Sequence, residues 1–282
     1  MKSILFRLLA GVSLVLLPCI ASAEKAPAPA DPAALAEAAQ NPVANMISVP
    51  FQNNTYFGIG PNERTANVLN IQPVIPVKVG DWNVITRTII PIVYLPAPLE
   101  GGIPGLPQNL PTGSTTGFGD INFTAFLSPA NPSKLIWGFG PSFGLDTSTS
   151  DFVGTGKWTV GPSLVVLVQP KPWTVGLLMR NLWSFAGDSS RDKVNSFMTQ
   201  FFINYNLPGG WYLTSSPTIT ANWEAPSGQQ WTVPLGGGVG KLLRVGRLPL
   251  NVQVQAFGNV VAPEDAPDWN LRFQVQMLFP KL

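Results

Sequence analysis

The chain has 282 residues, of which 45% are hydrophobic and 11% are charged, with 17 Lys and Arg against 15 Asp and Glu. Histidine is absent, which excludes Ser-His-Asp catalysis and any metal site with histidine ligands. The nearly balanced charge produces no strong field that would attract nucleic acid, so no nucleic-acid partner is expected.

The first 23 residues have the pattern of a secretory signal peptide. Two basic residues precede an apolar run at 8–17, and a small-residue A-x-A site follows. We predict cleavage between Ala23 and Glu24. Cleavage would also remove Cys19, the only cysteine, so the mature chain is expected to contain no disulfide.

Residues 24–44 are rich in alanine and proline and support two interpretations. In "DPAALAEAAQNP", Asp31 is a candidate N-cap, Pro32 occupies the first helical position, and Asn41-Pro42 is a stop signal. These signals predict a short helix that plugs the barrel predicted below. The preceding "EKAPAPA" is equally typical of a disordered periplasmic leader.

From residue 66 onward, apolar and polar residues alternate with period two, which indicates β-strands with one apolar face. The segments exceed the roughly 5–6 residues of soluble strands and approach the ~9–11 that cross a bilayer. The predicted strands are 66–79, 82–94, 118–127, 134–146, 157–169, 173–185, 195–207, 211–223, 231–241, 249–261 and 269–279.

The connectors alternate between short turns and longer loops, as in outer-membrane barrels. If the short turns are periplasmic, segment 66–79 must begin outside, so an earlier strand has to carry the chain outward. "NMISVPFQNNTYFG" supplies this strand, and we predict it near 45–58. The connector 242–248 is predicted to be longer than a tight turn. With this strand, both ends of residues 45–282 lie on the periplasmic side.

All nine tryptophans fall near the ends of predicted strands. This placement is typical of the two aromatic girdles of a membrane barrel and is not expected of a soluble sheet. We therefore predict an all-β fold, a transmembrane antiparallel up-and-down barrel of twelve strands, located in the cell outer membrane. The last strand ends at Phe279 and resembles the recognition signal for the barrel-assembly machinery, which is an expected partner together with outer-membrane lipid.

Four stretches carry a family resemblance: "QNPVANMISVPFQNN", "RTANVLNIQPVIPVKVGDWNVITRTIIPIVYLP", "GFGDINFTAFLSP" and "WGFGPSFGLDTST". They resemble Gram-negative outer-membrane proteins that are loosely labelled as transporters. Some members are linked to the meta-pathway of phenol degradation, and some are misnamed after neuromedin U. The resemblance extends from about residue 40 to the end. It implies an outer-membrane barrel that moves small aromatic or apolar compounds, and it supplies no catalytic residues.

Charged residues on the inward face are the candidate solute-binding groups of the lumen: Arg87, Arg180, Asp120 and Arg272. Apolar inward residues would hold the body of a small aromatic or amphipathic solute, and an arginine would hold its anionic or phenolic group. This interpretation predicts a channel or transporter that is not an enzyme and needs no cofactor or metal.

The same residues permit a plainer interpretation. The apolar inward residues would pack against an internal plug, and each arginine would pair with a carbonyl or a carboxylate. The protein would then be a structural or adhesive barrel that transports nothing. The loop 95–117 would either fold inward as a constriction or cover the mouth of the barrel.

Overall fold

The computed structural model describes residues 32–97 and 113–279. One short helix, α1 (Pro32–Ala39), precedes the strands. No helix within the described ranges is long and apolar enough to cross a membrane. The strands are β1 (Ile47–Ile59), β2 (Arg64–Ile71), β3 (Val74–Val79), β4 (Trp82–Leu95), β5 (Thr115–Phe118), β6 (Ile121–Pro129), β7 (Leu135–Leu145), β8 (Lys157–Val168), β9 (Trp173–Gly187), β10 (Asn195–Asn206), β11 (Trp211–Ser215), β12 (Thr218–Asn222), β13 (Trp231–Val245), β14 (Leu248–Val261) and β15 (Trp269–Phe279).

The strands form one closed antiparallel sheet. The last strand, β15, pairs with the first, β1, over residues 47–57 and closes the barrel. β2 with β3, β5 with β6, and β11 with β12 are each one wall strand with a short interruption, because both members of a pair lie beside the same neighbours. The barrel therefore has twelve wall strands in up-and-down order. This confirms the predicted fold class and the additional strand near 45–58.

The interruptions correct three predicted strands, 66–79, 118–127 and 211–223, which are each split in two. Two of the breaks contain a proline, which has no N–H to donate to the ladder. At the first break the Gln72 N–H donates to the Pro50 carbonyl at 2.9 Å, and the Thr88 N–H donates to the Pro73 carbonyl at 3.0 Å. Backbone groups at this break are therefore paired although the regular ladder stops.

The connector predicted at 242–248 is also corrected. Residues 242–245 continue β13, and Val245 pairs with Leu248 at the end of a tight hairpin. Gly246 in the turn has a φ of +61°, which glycine adopts without steric cost. The two adjacent leucines at 242 and 243 hid the alternation that would have extended the predicted strand.

The outer surface of the barrel is apolar and bounded by aromatic residues. Eight of the nine tryptophans are exposed, and most lie at or beside the first or last residue of a strand. Between them lie exposed large apolar side chains, a distribution that matches the lipid-facing belt of a membrane barrel. Examples are Phe139, Phe201, Ile203, Leu213, Leu235 and Phe273.

Two polar groups on this outer surface have local partners. Lys241 Nζ lies 4.5 Å from the centre of the Trp211 ring, at the end of the wall, which is a favourable cation–π position at a membrane interface. Asn181 accepts a hydrogen bond from Trp223 Nε1 and donates one to Asn195 Oδ1, both at 3.0 Å. Its amide is therefore not left unsatisfied in the hydrocarbon region.

Replacing Gly140 with alanine is expected to reduce the folded fraction strongly. A Cβ at Gly140 would lie 1.9 Å from the Ala125 carbonyl oxygen, and a main-chain atom cannot move aside without distorting the ladder. Overpacking of this kind costs about 1–3 kcal/mol or more. Heat-modifiable mobility on gels measures the folded fraction. Gly258 is the matched control, because a Cβ there meets no atom within 4 Å. Equal refolding of G140A and G258A would contradict the close approach of β7 to β6.

Candidate functional site

The barrel lumen has one apolar and one polar wall. Both arise from the period-two alternation, since every second residue points inward, and the inward residues differ around the barrel. The apolar wall lies on β4 to β10 and contains Ile85, Phe126, Val165, Leu167, Leu178 and Phe202. The polar wall lies on β14, β15 and β1 and contains Asn54, Asn251, Gln255, Arg272, Gln274 and Gln276, all of them buried.

Two predicted arginines lie on the apolar side of the lumen and are held by neutral amides. Arg87 on β4 donates from Nη2 to Gln72 Oε1 at 2.6 Å. Arg180 on β9 donates from Nη1 to Asn122 Oδ1 at 2.8 Å. An amide oxygen satisfies an N–H group but carries no formal charge, so neither guanidinium is neutralised by this partner.

Arg272 crosses from the polar wall to the break between β11 and β12. Its Nε donates to Asn54 Oδ1 at 3.0 Å, and its Nη1 donates to the Ser216 carbonyl at 2.8 Å. The adjacent proline interrupts the ladder at Ser216, and the carbonyl serves instead as an acceptor for the guanidinium. The guanidinium carbon also lies 4.9 Å from the centre of the Phe257 ring. Arg272 is therefore the most firmly positioned of the three cations.

None of the three arginines forms an ion pair with a described residue. The salt bridge found in residues 32–97 and 113–279 joins Lys171 to Glu37 of α1 at 3.6 Å and involves none of these arginines. Arg87 is within electrostatic range of both Arg272 and Arg180. The lumen thus holds three positive charges with no carboxylate of a described residue paired with them, which favours negatively charged groups.

Arg87 and Arg272 line one cavity of about 150 Å³ in the lumen. Leu178 and Phe202 contribute apolar surface to it, and glutamines of the polar wall contribute amides. The Tyr212 hydroxyl, also in the lining, donates to Asn251 Oδ1 at 2.7 Å. Arg180 and Asp120 are not part of this lining, so the structure does not bring all four predicted residues together.

Asp120 lies in the break between β5 and β6 and anchors an external loop. Its Oδ2 accepts from the Thr155 N–H at 2.6 Å and from the Thr155 hydroxyl at 2.8 Å. Its Oδ1 accepts from the N–H groups of Thr147 and Ser148, each at 3.3 Å. The carboxylate is therefore occupied by the loop 146–156.

The anchored loop fills the external end of the lumen with apolar side chains. Val153 has no exposed surface and packs with inward residues of β1, β2 and β4: Ile59, Ala66, Val68, Val93 and Leu95. Arg191 supports the loop from its other side, since Nη2 donates to the carbonyls of Asp151 at 2.8 Å and Gly154 at 2.7 Å. We call this arrangement of loop 146–156 the external closure.

A second loop, 188–194, carries Arg191 and is itself folded. Ser190 donates to the Asp188 carboxylate from its main-chain N–H and from its hydroxyl, each at 2.8 Å. These bonds stabilise the ionised carboxylate and lower the pKa of Asp188. Lys157 Nζ donates to the Asp188 carbonyl at 2.5 Å. Arg191 is thus presented by an ordered loop.

The N-terminal segment fills the periplasmic end. Leu35 of α1 packs with Met46, Leu242 and Leu278. Val43 inserts into the apolar wall beside Ile85, which is fully buried. For residues 32–44 these contacts are compatible with the plug helix, which stays a prediction. We call residues 32–44 the N-terminal plug.

Other predictions for the chain ends and loops differ in outcome. The helix begins at Pro32 as expected, whereas the candidate N-cap Asp31 lies outside the described residues. The cleavage site at Ala23 and Glu24, and most of the loop 95–117, also lie outside them. Among the described residues, no three His, Cys, Asp or Glu side chains are placed to hold a metal ion.

Sequence reasoning missed several residues that shape the lumen. Gln72, which holds Arg87, precedes Pro73, and a proline within a predicted strand is the signal that could have marked a break there. Val43 and Arg191 gave no periodic signal, because both lie in irregular segments. Their contacts join positions far apart in the sequence, which local patterns do not encode.

Comparisons with known proteins agree with this architecture. A profile of the family described as "MetA-pathway of phenol degradation" matches residues 60–211, more than half of the chain. The COG4313 outer membrane channel from Pseudomonas putida F1 is 18% identical, with 83% of this chain and 94% of that chain covered and a TM-score of 0.60. At this identity the likeness shows the fold.

Two further solved structures match with lower TM-scores. The Pseudomonas putida toluene transporter TodX is 10% identical, covers 88% of this chain and 91% of its own, and has a TM-score of 0.38. The outer membrane phospholipase dimer from Salmonella typhi is 11% identical, with 90% and 99% covered and a TM-score of 0.40. Neither likeness is close enough to carry an argument. No curated protein matches the chain.

Proposed function

The chain belongs to the MetA-pathway phenol-degradation family, and we propose that it is an outer-membrane channel or transporter for small aromatic or amphipathic solutes. The observation that carries this proposal is the lumen, in which an apolar wall faces a polar wall and three arginines have no acidic partner among the described residues. A barrel with a purely structural role has no need of buried, uncompensated charge, which is costly to maintain.

The outer surface of the barrel supports a location in the outer membrane, with lipid as a partner. An exposed apolar belt between aromatic rims requires lipid around it. The structural neighbour from Pseudomonas putida F1 is named an outer membrane channel, which is consistent with the proposal. We assign residues 1–23 to the signal peptide, 24–44 to the plug and its leader, and 45–282 to the barrel. The last strand, which ends at Phe279, would be recognised by the barrel-assembly machinery.

The predicted site residues divide into two roles. Arg87, Arg180 and Arg272 give the lumen its positive charge, and the two that line the cavity, Arg87 and Arg272, are proposed to contact solute. Asp120 is proposed to hold the external closure instead, because its carboxylate already accepts bonds from the loop. The solute body would lie against the apolar wall, where contact with side chains such as Phe202 replaces contact with water.

We propose that the protein catalyses no reaction. The phospholipase neighbour shares the barrel architecture at a TM-score that carries no argument. With no histidine in the sequence, the base of a Ser-His-Asp triad cannot be supplied. The candidate residues are mostly arginines, which remain protonated and are poor proton acceptors.

A structural barrel is the second candidate, and one observation favours it. Apolar clusters fill both ends of the lumen within the described residues, with Val153 at the external end and Val43 and Leu35 at the periplasmic end. A barrel closed in this way conducts only if at least part of each closure opens. The two candidates therefore differ in whether the closures move.

Single-channel recording in planar bilayers tests the proposal. The refolded mature protein is expected to show brief, discrete conductance steps, which added phenol or benzoate shortens or abolishes, because a bound solute would obstruct the lumen. Heat-denatured protein at the same concentration is the control. Bilayers that stay silent while the protein is folded by gel mobility would favour the structural barrel.

A further inference from the structure

Two guanidinium groups converge on one small cavity. Arg87 and Arg272 both line the cavity of about 150 Å³, and neither is paired with a carboxylate among the described residues. Keeping two like charges together inside a barrel is unfavourable unless a negative group joins them. The cavity thus has a charge that a bound anion would balance.

Both arginines retain hydrogen-bonding capacity. A guanidinium carries five N–H donors in a planar fork that matches the two oxygens of a carboxylate. Gln72 takes one donor of Arg87, at 2.6 Å. Arg272 is fixed by Asn54 and by the groups of residues 216–218, so its guanidinium is held in one orientation. Arg87 is the less restrained partner and is able to adjust to a ligand.

Part of the cavity lining is apolar. Leu178 and Phe202 are buried side chains of the apolar wall and also line the cavity, together with Val74. A cavity near 150 Å³ is large enough for a group of the size of benzene. The shape therefore suits a single ring or a short aliphatic chain that carries one charged group.

We propose that this cavity binds a small organic monoanion, with its carboxylate or phenolate oxygens between Arg87 and Arg272 and its apolar body against Leu178 and Phe202. This inference deepens the proposed channel function and names the class of solute, an anion in place of a neutral hydrocarbon. Arg180, held by Asn122 outside the lining, contributes charge at longer range without contacting the ligand.

Calorimetric titration with benzoate and benzamide tests the charge preference directly. The two compounds have the same ring and nearly the same shape, but only benzoate is charged at neutral pH. The refolded mature protein in detergent micelles is expected to bind benzoate about tenfold more tightly or better, the factor that a charge-assisted hydrogen bond provides. Titration into empty micelles corrects for partitioning into detergent.

Three variants locate the residues responsible for the preference for benzoate. Arg87→Gln removes the charge while the side chain remains polar, and it is expected to abolish the preference for benzoate. Lys241→Gln removes one positive charge from the outer surface, beside Trp211, and should leave the preference unchanged. Arg272→Lys retains the positive charge, so a reduced but measurable preference is expected. Heat-modifiable mobility confirms that each variant is folded.

Three results would overturn the assignment: equal affinity for the two compounds, no binding of either, or a preference that survives Arg87→Gln. The bilayer recordings separate this inference from the channel function. Silent bilayers with an intact preference for benzoate would contradict the channel function and support the anion site. Conductance without a preference for benzoate would support the channel function and contradict the anion site.

Discussion

Replacing Asp120 with alanine is expected to release the external closure and to accelerate hydrogen exchange in the loop 146–156. The Asp120 carboxylate accepts from the N–H groups of Thr147, Ser148 and Thr155. A hydrogen bond to a charged group contributes roughly 1.5–3 kcal/mol, so losing even one raises the open population about tenfold or more. Exchange measured by mass spectrometry in micelles reports this local opening.

Asp151→Ala is the matched control for that experiment. Asp151 lies in the same loop with an exposed side chain, and its carbonyl, which remains in the variant, accepts the bond from Arg191. The substitution removes the same charge from the same loop without removing an anchor. Equal exchange rates in the two variants would show that Asp120 does not hold the closure. A faster exchange confined to Asp120→Ala would support its assignment as an anchor.

The wall of the barrel could be predicted from the sequence because its physics is local. A strand between lipid and a lumen must alternate apolar and polar residues, so the pattern survives in each segment without knowledge of its neighbours. In β15, Leu271 and Phe273 face outward, whereas Arg272 and Gln274 are buried in the lumen. Parity alone then required the strand observed as β1.

The breaks and closures could not be predicted in the same way. A proline within a strand removes one donor, but whether the strand ends or bulges depends on the partner across the ladder. Pro73 lies in a break, whereas Pro91 and Pro141 remain within β4 and β7. Likewise, Asp120 is predicted to lie within strand 118–127 but lies in the break between β5 and β6, and its partners lie in a loop more than 25 residues further along the chain.

The same limit applies to the charges of the lumen. The sequence showed that Arg87, Arg180 and Arg272 point inward, since each lies opposite a tryptophan-bearing face. It did not show that only Arg87 and Arg272 share a cavity, because that depends on which strands meet across the closed barrel. The distribution of lumen residues around a barrel follows from closure, which no single segment encodes.

Removing residues 24–44 together with the Asp120→Ala substitution is expected to convert brief conductance steps into sustained conductance. The N-terminal plug and the external closure lie at opposite ends of one lumen, so they act in series, and opening one leaves the other limiting. Either change alone should therefore produce a small effect. In planar bilayers, the mean open time is the quantity to compare. The increase in mean open time in the combined variant should be several-fold larger than the increases in the two single variants added together.

The barrel should tolerate this truncation. Burial of Leu35 and Val43 contributes roughly 1.5–3 kcal/mol each, whereas the wall is closed by the continuous pairing of β1 with β15, which remains. Removal of 24–31 with Asp151→Ala is the matched control, because it retains the plug and the anchor. Silence of the combined variant, folded by gel mobility, would mean that the packed lumen itself blocks passage. The structural barrel would then be the better account, because both closures found among residues 32–97 and 113–279 would have been released.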